Sequence, residues 1–282
     1  MRKLLPRLCI AATGPLLVAF SLAALARSPR DDDGGKTELL ETPGGRLVGR
    51  TFESSSAGAH PLLIVVLHGD APFNKPDYQY VFAKRAASQG EVVAAAILRP
   101  GYSDPLGNTS AGERGQTTGD NYTPDRIEMI AAAIQRLKDE YHPRTTLIVG
   151  HSGGSAIAAD IIALHPDLAG AALLVSCPCD VPGWRVHMKE VIPSPLWDQP
   201  VDSVSPLAVA QRIPQSDRIR LIVGEDDPIT LPRFTQAYGR LLSNRGIDVQ
   251  ITVLPKLGHE ILLQPDVLTS LRQFVDVLSR PN

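Results

Sequence analysis

The segment Thr146–Ala156, TLIVGHSGGSA, decides how this chain is read. An apolar run ends at Val149, then comes Gly150-His151-Ser152-Gly153-Gly154, and an Ala/Ile-rich stretch follows at once. A Gly-x-Ser-x-Gly pattern between a strand and a helix puts its serine on a sharp, strained turn, and the flanking glycines remove Cβ atoms that would collide there. Such a turn lifts the Ser152 hydroxyl above the edge of a sheet and aims a helix N-terminus near it. The five residues alone occur often by chance, and a Gly-rich turn with an incidental serine is the plain alternative. The strand and helix on either side make the pattern specific.

Outward from this segment, strand-like and helix-like stretches alternate. Thr37–Thr42 and Arg46–Glu53 read as strands joined by a turn at Pro43-Gly44-Gly45. Leu62–Leu67 (LLIVVL) is an uninterrupted apolar run of the kind buried on both faces of a parallel sheet. Val92–Leu98, Thr146–Val149, Ala171–Val175, Arg220–Val223 and Val249–Val253 follow the same pattern. Helices are predicted over Pro76–Gln89, Pro124–Glu140, Gly153–Leu164, Leu231–Asn244 and Pro265–Ser279. In the second of these, Thr123 is placed as N-cap, and Ile127, Ile130, Ala131, Ile134 and Leu137 recur every three or four residues, laying one face on a sheet. This alternation specifies an α/β fold with a mostly parallel central sheet flanked by helices. Two stretches interrupt it, Gly101–Tyr122, which is polar, and Asp180–Asp217, which is Pro-rich and holds both tryptophans, Trp184 and Trp197. Both leave the C-terminal edge of the sheet, where open α/β sheets bind ligands.

A serine hydroxyl needs a base, and the base needs an orienting carboxylate. The chain order expected with this turn is Ser, then Asp or Glu, then His. Gly224-Glu225-Asp226-Asp227 places acids just past one strand, and Gly258-His259 places a histidine just past the next. Five motifs now stand in order: His68-Gly69, Arg99-Pro100-Gly101-Tyr102, Gly-His-Ser-Gly-Gly, Gly-x-x-Asp and Gly-His. From about Leu62 to the C-terminus the chain resembles the α/β-hydrolase-fold serine hydrolases, the superfamily of esterases, lipases and peptidases.

That resemblance implies a catalytic triad of Ser152, Asp227 and His259, with Asp226 and Glu225 as neighbouring alternatives for the acid. It implies an oxyanion hole from the backbone N–H groups of Gly153 and Asp70, with Ala71 the alternative to Asp70. An anionic side chain aimed at an oxyanion would oppose catalysis, so the Asp70 carboxylate is expected to turn away, toward Arg99. His151 reads as the variable residue of the turn; His60, His142, His165 and His187 read as loop or helix-end residues.

Composition bounds the remainder. The chain has 282 residues, 43% hydrophobic and 21% charged, with a formal net charge of -2. This fits a globular protein without the basic surplus of a nucleic-acid binder. Met1-Arg2-Lys3, an apolar run from Leu8 to Ala26 and the triplet Ala24-Leu25-Ala26 predict a signal peptide over residues 1–26. An uncleaved membrane anchor is the alternative, since the run is just long enough to span a bilayer. Cleavage would remove 26 residues and three cations (Arg2, Lys3, Arg7), leaving 256 residues with a formal charge of -5 and no stable membrane insertion. The product would be periplasmic or secreted. Residues 27–36 then read as a flexible linker and 37–282 as the hydrolase domain, with a cap insertion at about 180–217. Cys177 and Cys179 are left open between a tight disulfide and two small buried residues.

No zinc-binding spacing follows His259-Glu260, and no Gly-rich phosphate loop is present, so neither metal nor cofactor is expected. Beyond the signal and a short N-terminal strand region, no large domain is expected that would sieve peptides. The expected function is an exported serine hydrolase cleaving a small carboxylic ester. The alternatives are an aminopeptidase or other short-peptide hydrolase of the same fold, and a non-catalytic binding protein. The tryptophans are expected to line a cap over Ser152. Asp104, Glu113 and Asp120 could meet a substrate amine, although a solvated loop is the plainer role.

Overall fold

The computed structural model describes residues 34–280, apart from 72 and 117. The expected leader at 1–26 and linker residues 27–33 lie outside the described residues. The described residues form an eight-stranded sheet with strands β1 (Lys36–Thr42), β2 (Gly45–Glu53), β3 (Leu62–Leu67), β4 (Val92–Leu98), β5 (Thr145–His151), β6 (Ala171–Val175), β7 (Arg218–Gly224) and β8 (Asp248–Leu254). Their spatial order is β1-β2-β4-β3-β5-β6-β7-β8. The β1–β2 hairpin and the β2–β4 pairing are antiparallel; every other pairing is parallel.

The uninterrupted apolar strands serve two cores at once. Side chains alternate across a strand, so Leu63, Val65 and Leu67 enter one cluster while Leu62, Ile64 and Val66 enter the other. Helices α1 (Tyr78–Ala87) and α7 (Pro265–Leu278) cover one face; α2 (Pro124–Tyr141), α3 (Gly153–Leu164) and α6 (Pro232–Asn244) cover the opposite one. The predicted stripe of α2, Ile127 to Leu137, is buried in full. Each of its isoleucines and Leu137 contributes about 1.5–3 kcal/mol relative to its exposed state. Thr123 does occupy the N-cap position, but its hydroxyl turns to the Asp125 carboxylate and caps no backbone N–H.

Asp180–Asp217 is more ordered than its proline content suggested. It contains helix α4 (Val181–Val191) and a short helix α5 (Pro206–Val209), besides two 3-10 turns. The sequence hid α4 because Pro182-Gly183 reads as a breaker. Proline is tolerated in a first turn, where its missing N–H has no intrahelical acceptor, and Asp180 accepts from Gly183 N at 3.2 Å while Ser205 Oγ accepts from Val181 N at 3.1 Å. Just ahead of α4, Cys177 and Cys179 are joined by a disulfide, their Cα atoms 5.1 Å apart, and both are buried. No helix among the described residues is long and apolar enough to cross a membrane.

Candidate active site

Parallel strands all end at the same edge, so loops distant in sequence meet there. Ser152 follows β5 and opens α3 with φ 52° and ψ −125°, a backbone region that costs a side-chain-bearing residue about 1–3 kcal/mol unless its surroundings enforce it. Enforcement comes from the close approach of the next loop. A Cβ at Gly154 would collide with the carbonyl oxygens of Leu67 and His68, and Ser152 N donates to Val175 O of β6 at 2.9 Å.

His259 comes from the loop after β8 and brings Nε2 within 3.0 Å of Ser152 Oγ. Its Nδ1 lies 3.0 and 3.1 Å from the two carboxylate oxygens of Asp227, which follows β7. Asp227 is 1% exposed and also accepts from Ile229 N, Thr230 N and Thr230 Oγ1 at 2.9, 2.8 and 2.6 Å. Burial alone would raise its pKa. The hydrogen bond and charge of His259 and the Thr230 donors outweigh that and hold the carboxyl below the usual range. Asp226 and Glu225 are exposed and make no such contact. The structure thus brings Ser152, His259 and Asp227 together in one hydrogen-bonded line.

Asp70 lies in the loop after β3, and its side chain meets Arg99 as expected. Its Oδ1 accepts from Arg99 Nη1 at 2.9 Å, and its Oδ2 accepts from Gly119 N and the Tyr122 hydroxyl at 2.8 and 2.7 Å. Arg99 is fully buried between the rings of Tyr102 and Tyr122, 5.3 and 5.7 Å from their centroids. The carboxylate packs so closely on Gly153 that a Cβ there would strike it. Among the described residues the backbone N–H groups of Gly153 and Asp70 have no protein acceptor, whereas Ala71 N donates to the Tyr102 hydroxyl at 3.4 Å.

A cleft of about 350 Å³ opens at Ser152 and His259. It is lined by Ala71, Phe73, Lys75 and Asp77 from between β3 and α1, by Tyr78 at the start of α1, and by Glu260. This corrects two expectations. The tryptophans do not line the cleft: Trp184 is buried with Met188 and Phe234, donates from Nε1 to Ile229 O at 2.9 Å and stacks edge-on with Trp197. Asp104 is neither solvated nor in the cleft; it is buried and accepts from Tyr80, Asn108 N and Asn108 Nδ2. A third reading also changes, since His151 is buried and bonded at both ring nitrogens. Its position inside the serine turn was the only sequence signal for such a role.

The family model described as "Alpha/beta hydrolase family" matches residues 64–208, just over half of the chain. The chain belongs to the alpha/beta hydrolase family. Among solved structures this hydrolase resembles an esterase of Pyrobaculum calidifontis (16% identity, TM-score 0.65), covering 89% of this chain and 86% of that one. It also resembles the acylaminoacyl peptidase of Pyrococcus horikoshii (14% identity, TM-score 0.65) and a puromycin-hydrolyzing peptidase of Mycobacterium tuberculosis (20% identity, TM-score 0.67). In those two pairings 87% and 86% of this chain is covered, but it spans only 41% and 38% of the peptidases. At these identities the likeness concerns the fold. No curated protein matches the sequence.

Proposed function

We propose that this hydrolase is an exported serine esterase working through a covalent acyl-enzyme. The observation that carries the reading is the line Asp227–His259–Ser152, with 3.0 Å at each contact, on a serine held at φ 52°. Ser152 Oγ attacks the ester carbonyl as His259 Nε2 takes its proton. Asp227 holds the Nδ1–H tautomer and stabilises the imidazolium that forms. Charge on the carbonyl oxygen is met by the N–H groups of Gly153 and Asp70. Collapse expels the alcohol with the proton from His259. Water, activated by the same nitrogen, then releases the acid and restores Ser152.

A cleft of about 350 Å³ is near the lower end of ligand-pocket sizes, about 300–1,000 Å³, which favours a small acyl ester. One observation favours a second reading, a peptidase for substrates with a free amine: Asp77 and Glu260 both line the cleft, and Asp77 spends no hydrogen bond on capping α1. Export is supported by the leader-like N-terminus and by the Cys177–Cys179 disulfide, a bond that persists in oxidising compartments.

A fluorophosphonate probe should label the protein and fail on Ser152→Ala; labelling that survives the substitution overturns the nucleophile assignment. p-Nitrophenyl esters compared with aminoacyl anilides on one preparation decide between the two substrate classes, and faster anilide turnover would select the peptidase. N-terminal sequencing of the expressed protein tests cleavage after Ala26.

A further inference from the structure

The loop carrying Asp70 and the loop carrying His259 are joined by a chain of hydrogen bonds that passes through the serine turn. Gly69 N donates to the Tyr78 hydroxyl at 2.6 Å. That hydroxyl lies 3.0 Å from His151 Nδ1. On the far side of the ring, Nε2 lies 3.1 Å from the backbone carbonyl of His259, which also accepts from Ser176 Oγ at 3.0 Å and from Ile261 N at 2.9 Å.

The ends of the chain fix its direction. A backbone N–H can only donate and a carbonyl can only accept. The Tyr78 oxygen therefore accepts from Gly69, and its single proton points to Nδ1 of His151. Nδ1 must then be bare, so Nε2 carries the proton and donates to His259. The opposite neutral tautomer would set a lone pair against the carbonyl, and a doubly protonated ring would leave the Tyr78 proton without an acceptor. Only the neutral Nε2–H form satisfies every member. Burial, aided by the charge on His259, pushes His151 down to about 4, in keeping with a neutral ring. The charged groups that act on this chain are His259 and Asp227 at His151, and Glu260, Arg99 and Asp70 at Tyr78.

We propose that Tyr78 and His151 are a positioning pair that locks the oxyanion loop to the backbone of the general base, a role that rests on reading Ser152 as the nucleophile. His151 is adjacent to Ser152, so the strained turn that aims the nucleophile also aims this ring. One imidazole thereby sets the position of the Gly69-Asp70 segment relative to His259. The two rings lie 5.3 Å apart, centroid to centroid, so a neutral His151 adds no like charge beside the imidazolium formed during acylation.

The test combines a spectroscopic and a kinetic readout on the full chain. In 15N-labelled protein the His151 ring should be the neutral Nε2–H tautomer throughout the range about pH 5 to 9. Tyr78→Phe and His151→Leu should each lower kcat for p-nitrophenyl acetate, and the rate of fluorophosphonate labelling, by about 10- to 100-fold with KM within about threefold. The double variant should be no slower than the slower single variant, because either change breaks the same chain. His151→Gln, which keeps a donor for the His259 carbonyl, should lose less than His151→Leu. A charged or Nδ1–H ring overturns the proposal, as do additive losses or losses confined to KM or to the unfolding midpoint. Wild type that neither labels nor turns over any acyl substrate defeats the hydrolase reading and this proposal together. Labelled wild type with additive variants defeats the pair alone.

Discussion

Replacing Arg99 by methionine would leave the Asp70 carboxylate without its counter-charge. The two side chains are 0% and 5% exposed and 2.9 Å apart, so little water screens either. Removing one partner of a buried pair costs about 3–5 kcal/mol, because the remaining charge stays buried and uncompensated. For a domain of this size each kcal/mol moves Tm by about 2–4 °C, so Arg99→Met should lower it by roughly 6–20 °C. A second effect falls on the chemistry. Two like unit charges about 5 Å apart repel by about 3 kcal/mol at an effective dielectric constant of about 20. Asp70 Oδ1 packs directly on Gly153, so the forming oxyanion would meet that repulsion, and kcat should fall by about 100-fold. The double variant Arg99→Met/Asp70→Leu removes both charges and should recover part of both losses, since apolar replacement of an entire buried pair is often nearly neutral. Thermal unfolding followed by circular dichroism and hydrolysis of p-nitrophenyl acetate read the two effects. An Arg99→Met protein with unchanged kcat and a Tm within about 3 °C of wild type would refute the reasoning.

Three further outcomes are expected. Asp227→Asn should cut kcat by about 10⁴-fold by favouring the wrong His259 tautomer, while Asp226→Asn stays within about twofold; comparable losses in both would reject the choice of acid. Burial raises the Asp217 carboxyl to about 7, so the folded protein keeps a proton that the unfolded chain loses above about pH 4. Its contribution to stability therefore falls as pH rises from about 4 to about 7, and Asp217→Asn should flatten that decline in urea midpoints. Trp184→Ala should cost about 3–5 kcal/mol of stability yet leave KM for small esters within about threefold; a large rise in KM would return Trp184 to the cleft.

The fold was legible because its signals are local and redundant. Leu62–Leu67, Val92–Leu98 and Ala171–Val175 are strands over those same residues, since a short apolar run between turn residues has few other uses in an α/β chain. Ser152, Asp227 and His259 were legible because each follows a strand at the same edge of a parallel sheet. The partners of Asp70 were legible only in part. Charge complementarity pointed to Arg99, but Tyr122 and Gly119 lie about 50 residues away, in an irregular loop where no periodicity reports contact. The cleft wall was misplaced for a related reason. Tryptophan in a Pro-rich insertion suggests a lining, yet Trp184 and Trp197 join an apolar cluster with Met188 and Phe234, leaving Ala71, Phe73, Asp77 and Tyr78 beside Ser152.

The sheet order places the two halves of the site in unequal company. Ser152 leaves β5, which has strands on both sides, whereas His259 leaves β8, the edge strand, whose residues alternate toward solvent. Hydrogen bonds at an edge open more readily than those at the centre of a sheet. On warming, fraying at β8 would carry the proposed base away while the proposed nucleophile stayed seated on an intact core. Inactivation would then precede global melting and reverse on cooling, and amide exchange along Asp248–Leu254 would keep time with the loss of turnover.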